Sequence, residues 1–141
     1  MDEALVLARE AGARGEVPVG ASVVRDGVIV GRGGNAPIAA NDPTAHAEIS
    51  ALREAANAIG NYRLPDCEMY VTLEPCPMCA GAMMNSGIGH WVMGGRLKAV
   101  GRAYGQYSAE SFVKFVAADV EITTGILAEE CEALRNRYMP S

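Results

Sequence analysis

Two short segments, TAHAE at 44–48 and PCPMC at 75–79, constrain how this chain of 141 residues can fold. The first supplies the imidazole of His46, and the second supplies the thiols of Cys76 and Cys79, which are donor groups that Zn²⁺ prefers. Each segment lies at the predicted start of a helix. The three donors can meet on one ion only if the two helix starts lie side by side, although about 30 residues separate them along the chain.

The two cysteines are spaced as C-x-x-C on the first helical turn, so their side chains point the same way. The helix N-terminus favours thiolate over thiol, because its free amides and the helix dipole stabilise negative charge. Together with His46 they give three ligands and leave the fourth tetrahedral position to water, as in a catalytic zinc site. The alternative is a closed structural site, whose fourth ligand would be Cys67 or, less readily, His90.

A carboxylate follows the histidine closely, since Glu48 lies two residues after His46. From there it can reach a water at the fourth position without binding the ion, take its proton and hand that proton to a departing amine. Either motif alone is weak, because redox sites and structural zinc sites share C-x-x-C. H-x-E followed by P-C-x-x-C is typical of zinc-dependent deaminases that act on nucleobases.

Hydrophobic periodicity predicts that helices and strands alternate along the chain. The predicted helices cover residues 2–13, 44–58, 77–84, 108–116 and 126–137. The predicted strands cover residues 17–24, 28–30, 68–73, 88–93 and 120–123. Asp26 and Gly27 predict a tight hairpin, and the helix at 44–58 is expected to be capped by Asn41, Asp42 or Thr44. The alternation predicts an α/β fold, a three-layer α/β/α sandwich around a five-stranded mixed sheet. The length fits a single domain, 1–141.

The composition limits which partners and which compartment are expected. Seventeen acidic against twelve basic residues give a formal net charge of −5. The acidic net charge argues against nucleic-acid binding without excluding it, because such binding gains much of its affinity from Lys and Arg at phosphates. No apolar run approaches the roughly 20 residues of a membrane-spanning helix, and the first residues lack a secretory pattern. We expect a cytoplasmic chain with no membrane partner, in which Cys67 and Cys131 are small apolar core residues.

Segments along nearly the whole chain resemble the cytidine deaminase-like superfamily, and within it the bacterial tRNA adenosine deaminases. These segments are EVPVGA (16–21), DPTAHAEI (42–49), NYRL (61–64), YVTLEPCPMCAGAM (70–83) and VEITTGILAEEC (120–131). The resemblance implies that His46, Cys76 and Cys79 bind one Zn²⁺ per subunit, which carries a water. Glu48 is then the proton shuttle, and Asn35 hydrogen-bonds the substrate base. The resemblance also implies a homodimer with active sites near the subunit interface.

Three stretches depart from the tRNA enzymes where those enzymes touch their polynucleotide. Residues 95–107 read GRLKAVGRAYGQY instead of a motif rich in Lys, Thr, Gly and Ser, and Ala-Ala-Asn at 39–41 replaces basic or histidine side chains. Residues 135–141 end the chain without a basic extension. We therefore expect hydrolytic deamination of a free nucleobase or nucleoside of the cytosine, isocytosine, guanine or adenine type. A deaminase of the tRNA wobble adenosine is the alternative, and a non-catalytic zinc-binding module is a weaker one.

The expected substrate contacts extend beyond the metal ligands. Val19 and the segment 44–47, which includes Ala47, are expected to form apolar walls around a base that Asn35 orients. Tyr107, with Tyr104 and Phe112, is a candidate lid that stacks on the base.

A basic cluster next to these tyrosines has two interpretations. Arg96, Lys98 and Arg102 could bind a single strand together with the aromatic rings, or they could belong to a solvated loop. The methionines of the predicted zinc helix, Met78, Met83 and Met84, suit either a subunit interface or the core.

Overall fold

A computed structural model describes residues 1–138. In chain order its strands are β1 (Gly20–Arg25), β2 (Val28–Gly34), β3 (Cys67–Leu73), β4 (His90–Gly95) and β5 (Glu121–Thr123). Its helices are α1 (Asp2–Ala13), α2 (Pro37–Ala40), α3 (Ala47–Ile59), α4 (Pro77–Ser86), α5 (Ala109–Phe115) and α6 (Ala128–Tyr138). A single 3₁₀ turn covers Lys98–Val100.

The strands form one five-stranded mixed sheet in the order β2-β1-β3-β4-β5 within the described residues. β1 runs antiparallel to β2 and β3, whereas the pairs β3–β4 and β4–β5 are parallel. The predicted hairpin joins β1 to β2, and both of its turn residues have positive φ, 51° at Asp26 and 75° at Gly27. Such angles match the right-handed twist of the strands. The predicted mixed sheet is confirmed.

Helices cover both faces of this sheet, as two glycines show. A Cβ at Gly33 would collide with the carbonyl oxygen of Ala47 in α3, and a Cβ at Gly20 would collide with that of Ala4 in α1. Gly33 pairs with Ala21, the neighbour of Gly20, and successive residues of a strand point to opposite faces. α3 and α1 therefore lie on opposite sides of the sheet, and the glycines let both helices pack closely. The three-layer prediction is confirmed.

The larger core lies between the sheet and the α3 side. Its fully buried strand residues include Val23, Met69, Val71, Trp91 and Met93. A smaller cluster under α1 and α6 contains Leu5, Ala8, Cys131 and Leu134. Cys67 and Cys131 are buried free thiols, as expected of small apolar core residues.

Strand directions bring the ends of three strands to one edge of the sheet. β1 is antiparallel to both of its neighbours, so β2 and β3 run the same way, and β4 follows β3. The segments that leave β2, β3 and β4 therefore emerge at the same edge of the sheet. They begin with Asn35, Glu74 and Arg96; the first leads through α2 into α3, and the second leads into α4.

Several element boundaries differ from the sequence prediction. β2 continues to Gly34 and α2 interrupts the expected loop, while β4 is shifted to end at Gly95. α3 begins at Ala47 with His46 in the N-cap position, so the expected cap at 41, 42 or 44 is wrong. Asp42 instead accepts hydrogen bonds from the backbone and the hydroxyl of Thr44, at 2.8 and 2.7 Å, within the preceding turn.

The zinc-helix methionines differ in burial. Met83 is fully buried in the core, Met84 is half-buried and Met78 is 37% exposed. The homodimer and the single domain 1–141 stay predictions, and of the C-terminal stretch residues 139–141 lie outside the described part. No helix among the described residues is both long and apolar enough to span a membrane.

Candidate metal centre and active site

Three donor side chains converge at the edge where β2 and β3 end. The metal-binding atoms of His46, Cys76 and Cys79 all lie within 4.8 Å of one another. His46 is the N-cap of α3, Cys76 is the N-cap of α4, and both have extended backbone angles. Across residues 1–138 this is the one cluster of at least three His, Cys, Asp or Glu side chains arranged to hold a metal ion.

The spacing of these atoms fits Zn²⁺. His46 Nδ1 lies 3.6 Å from Cys76 Sγ and 3.5 Å from Cys79 Sγ. A nitrogen and a sulfur bound to one tetrahedral Zn²⁺, at about 2.0 and about 2.3 Å, are about 3.5 Å apart. The donor set and its geometry therefore suit zinc with one coordination position left open.

The two candidates for a fourth protein ligand lie elsewhere. Cys67 begins β3 and so lies at the opposite end of the strand from the cluster. His90 uses both ring nitrogens, with Nδ1 2.8 Å from a Glu68 oxygen and Nε2 2.8 Å from the Thr123 hydroxyl. Neither residue joins the cluster, so the alternative of a closed zinc site loses its fourth ligand.

Cys76 is the more acidic of the two clustered thiols. A hydrogen bond from the Cys79 thiol, with a further contribution from His46, lowers the pKa of Cys76 to about 4. The same bond and burial raise the pKa of Cys79, and the hydrogen bond with Cys76 raises that of His46. A cysteine binds a metal ion as its thiolate, so a thiol of low pKa at this position favours metal binding.

Glu48 lies in the first turn of α3, only 3% exposed. Burial raises the pKa of its carboxyl group to about 7, because the charged form loses solvation there. Glu48 lines the same cavity as His46 and Cys76. A group in this position can hold or release a proton next to the open coordination position.

A cavity of about 190 Å³ opens to solvent above the cluster. Five of the predicted site residues line it, namely Val19, Asn35, His46, Glu48 and Cys76. Cys79 is fully buried behind them. Tyr104 of the candidate lid and Arg102 of the basic cluster also line it. The sequence prediction did not anticipate several other lining residues, among them Leu73, Glu74, Leu97 and Arg135.

Asn35 connects β2 to the start of α3. Its Oδ1 accepts a 2.8 Å hydrogen bond from the backbone N–H of Ala47, which satisfies a free amide of the first helical turn. The amide NH₂ is then the polar end left for a ligand in the cavity. Ala47 itself is fully buried in the core and does not line the cavity, because its carbonyl side packs closely against Gly33.

Tyr107 lies beside the cavity rather than in its lining. Its hydroxyl donates to the carbonyl oxygen of Pro75, the residue before Cys76. Its ring contacts Tyr104 and Phe112 edge-on, with centroid distances of 6.3 and 6.4 Å. Of these three aromatic residues it is Tyr104 that lines the cavity.

Glu74 connects three segments of the site and was missed by the sequence reasoning. Its carboxylate accepts hydrogen bonds from the Arg96 guanidinium at 3.1 and 3.2 Å, from Leu97 N at 3.1 Å and from Ala109 N at 2.8 Å. Arg96 also binds Glu110. A glutamate at the end of an apolar strand could have indicated in the sequence that polar partners gather there, because a buried charge requires partners.

The comparisons with known proteins agree with this geometry. The family model described as the cytidine and deoxycytidylate deaminase zinc-binding region matches residues 1–95. The tRNA-specific adenosine deaminase of Haemophilus influenzae is 48% identical over 132 residues, 93% of this chain and 76% of its own.

Solved structures extend the likeness. A structure from a study of A-to-I editing by tRNA:A34 deaminases at the wobble position aligns with a TM-score of 0.83 at 38% identity, over 95% of this chain and 96% of that one. The guanine deaminase of Nitrosomonas europaea aligns with a TM-score of 0.86 at 28% identity, over 97% and 81%.

Proposed function

The chain belongs to the family of the cytidine and deoxycytidylate deaminase zinc-binding region, and from this premise we propose that it deaminates an adenosine of transfer RNA at the wobble position. As a family member it is a zinc-dependent enzyme that hydrolyses a C–N bond. One observation carries the choice of substrate. The 48% identity with a tRNA-specific adenosine deaminase extends along 93% of the chain, well beyond the metal-binding motifs.

The sequence alone favours a free base or nucleoside, because three stretches differ from the tRNA enzymes. The present proposal reverses that order of preference. The stretch 95–107 differs in its letters from the tRNA enzymes, but it contributes Leu97, Arg102 and Tyr104 to the cavity lining. A cation and an aromatic ring at the cavity suit a polynucleotide as well as a free base. The changed sequence therefore does not argue against RNA, and the relatives argue for it.

The chemistry we propose follows from the side chains around the cavity. His46, Cys76 and Cys79 would hold Zn²⁺, which when bound acts as a Lewis acid and lowers the pKa of a water. Glu48 takes a proton from the attacking water and delivers it to a ring nitrogen of the base. It then carries the second proton of the water to the exocyclic amine, which leaves as ammonia, and the base keeps the oxygen.

Three further residues would position the base for this reaction. The NH₂ group of Asn35 would donate a hydrogen bond to the base, because its Oδ1 is already bound to Ala47 N. Val19 is 6% exposed and Leu73 is 9% exposed, and both line the cavity. Their apolar surfaces would exclude water from the faces of the ring.

A substrate panel tests the proposal. Ammonia release by zinc-loaded protein is measured with an anticodon stem-loop RNA that carries adenosine at the wobble position. The same stem-loop with guanosine there is the matched control. Free adenine, guanine, cytosine, isocytosine and their nucleosides complete the panel. We expect turnover of the adenosine stem-loop, with inosine as product. Turnover of free bases alone, with no reaction on RNA, would refute the proposal.

The second candidate is a deaminase of small nucleobases, of which guanine is the best-supported type. The structural likeness to a guanine deaminase, at a TM-score of 0.86, favours it, and so does the net charge of −5. In the same panel this candidate predicts that ammonia release is faster with guanine than with any RNA.

A further inference from the structure

Arg102 and Tyr104 form a pair at the cavity that the deamination chemistry does not use. Arg102 Nη2 donates a 3.1 Å hydrogen bond to the Tyr104 hydroxyl, and the guanidinium carbon lies 5.7 Å from the centre of the tyrosine ring. Both side chains are exposed, Tyr104 by 39%. Both also line the cavity that holds His46 and Glu48.

Contacts with Tyr107 and Glu74 connect this pair to the segment of the metal ligands. The ring of Tyr104 packs edge-on against Tyr107, whose hydroxyl binds the Pro75 carbonyl next to Cys76. The start of the same segment is held by Glu74, which accepts from Leu97 N. A pair supported in this way needs little further ordering when a ligand binds.

The two arginines of the segment 95–107, Arg96 and Arg102, differ in their carboxylate partners. Arg96 is bound between the carboxylates of Glu74 and Glu110. Arg102 forms no salt bridge with any carboxylate of the described chain. Its guanidinium is therefore available to an external anion, in a protein whose net charge of −5 does not attract nucleic acid as a whole.

We propose that Arg102 and Tyr104 form a subsite for the nucleotide next to the one that is deaminated, with Arg102 on its phosphate and Tyr104 stacked on its base. This inference rests on the proposed function. A base taken out of its stack enters the pocket on its own backbone, so the adjacent nucleotide must pass the mouth of the cavity. A guanidinium suits a phosphate, and an aromatic ring stacks on any base. A free base offers neither a phosphate nor a neighbour.

The test measures kcat/KM on the wobble-adenosine stem-loop at several salt concentrations. Thermal unfolding first verifies that each variant folds. We expect Arg102→Ala and Tyr104→Ala each to lower kcat/KM by about 10-fold or more. Arg102→Ala also makes the slope of log kcat/KM against log salt shallower by about 0.7, the value for one lost single-strand phosphate contact. Tyr104→Ala leaves that slope unchanged.

Two further variants serve for comparison. Tyr104→Phe keeps the ring and should lose less of kcat/KM than Tyr104→Ala, because stacking does not need the hydroxyl. Arg9→Ala removes an exposed cation of α1 outside the cavity lining and leaves both kcat/KM and the slope unchanged.

Three results would overturn the inference, and they are distinguishable. If folded Arg102→Ala and Tyr104→Ala match the wild type on a stem-loop that the wild type deaminates, the subsite is wrong and the proposed function stands. If Arg102→Ala lowers activity with an unchanged salt slope, the pair is only structural. If the wild type deaminates free bases and not the stem-loop, the proposed function fails and the subsite fails with it.

Discussion

Replacement of Glu48 is expected to separate metal binding from the proposed chemistry. Its carboxyl group lines the cavity but lies outside the three-residue donor cluster. We therefore expect Glu48→Gln to keep one zinc per chain and to lower turnover by at least about 10²-fold, the usual contribution of a general acid–base group. Metal analysis and ammonia release on the same sample measure the two effects. Unchanged ammonia release would show that Glu48 does not move the protons.

Asn35 has a structural contact through Oδ1 and a proposed substrate contact through NH₂, and substitutions can separate the two. Asn35→Asp keeps an acceptor for Ala47 N and loses the donor, so we expect normal unfolding and kcat/KM reduced by about 10-fold or more. Asn35→Ala also leaves the Ala47 amide without its partner and lowers the free energy of unfolding by about 1–3 kcal/mol. Denaturant unfolding and kinetics on both variants test this, and equal activity of wild type and Asn35→Asp would contradict a contact with the base.

The metal ligands are predictable from sequence because their chemistry depends on spacing along the chain, and the structure brings His46, Cys76 and Cys79 together. The partners of Glu74 are not predictable in this way. Arg96, Leu97 and Ala109 reach it only because β3 and β4 pair in parallel. Tyr104 lines the cavity, whereas Tyr107, which is expected from the sequence to contact the base, lies beside it. This placement depends on ring packing among Tyr104, Tyr107 and Phe112, which a local sequence pattern does not show.

At the scale of elements, Glu74 joins the end of β3 to the segment after β4 and to the start of α5. It is 5% exposed, and its carboxylate faces the Arg96 guanidinium. Glu74→Gln keeps the shape but removes the charge, and we expect the free energy of unfolding to fall by about 2 kcal/mol in chemical denaturation.

The matched control for this ion pair is the second partner of the same arginine. The side chain of Glu110 is 50% exposed, so its pair with Arg96 is screened by solvent. Glu110→Gln should cost less than about 1 kcal/mol. A larger decrease in the free energy of unfolding for Glu110→Gln than for Glu74→Gln would contradict the conclusion that the buried pair of Glu74 with Arg96 is the more stabilising one.

The start of α3 shows why local rules place some element boundaries wrongly. A polar side chain at 41, 42 or 44 is the cap that the sequence favours. The structure supplies the acceptor for Ala47 N from Asn35, which follows a strand and lies 12 residues earlier. His46 thereby occupies the N-cap position, and its ring is available for the metal cluster.

At the scale of the whole molecule, alternating helices and strands are enough to predict the layers but not the strand order. The antiparallel placement of β1 between β2 and β3 makes the outgoing ends of β2, β3 and β4 share one edge. That shared edge joins the two motifs, so the metal cluster depends on the complete sheet. Conversely, a bound ion connects α3 to α4 and should stabilise the fold.

Zinc removal tests this coupling between the metal and the fold. An ion that binds only the folded chain stabilises it by about 4 kcal/mol when its free concentration is 1,000 times Kd. For a chain of this length we therefore expect a chelator to lower Tm by roughly 10 °C. Cys76→Ala should have a low Tm that added zinc does not raise. Cys67→Ala, which removes a buried thiol at the far end of β3, is the matched control and should keep both the zinc and the response to the chelator. Stoichiometric zinc in Cys76→Ala, or its loss from Cys67→Ala, would show that the ion binds elsewhere and that the cluster is not the metal centre.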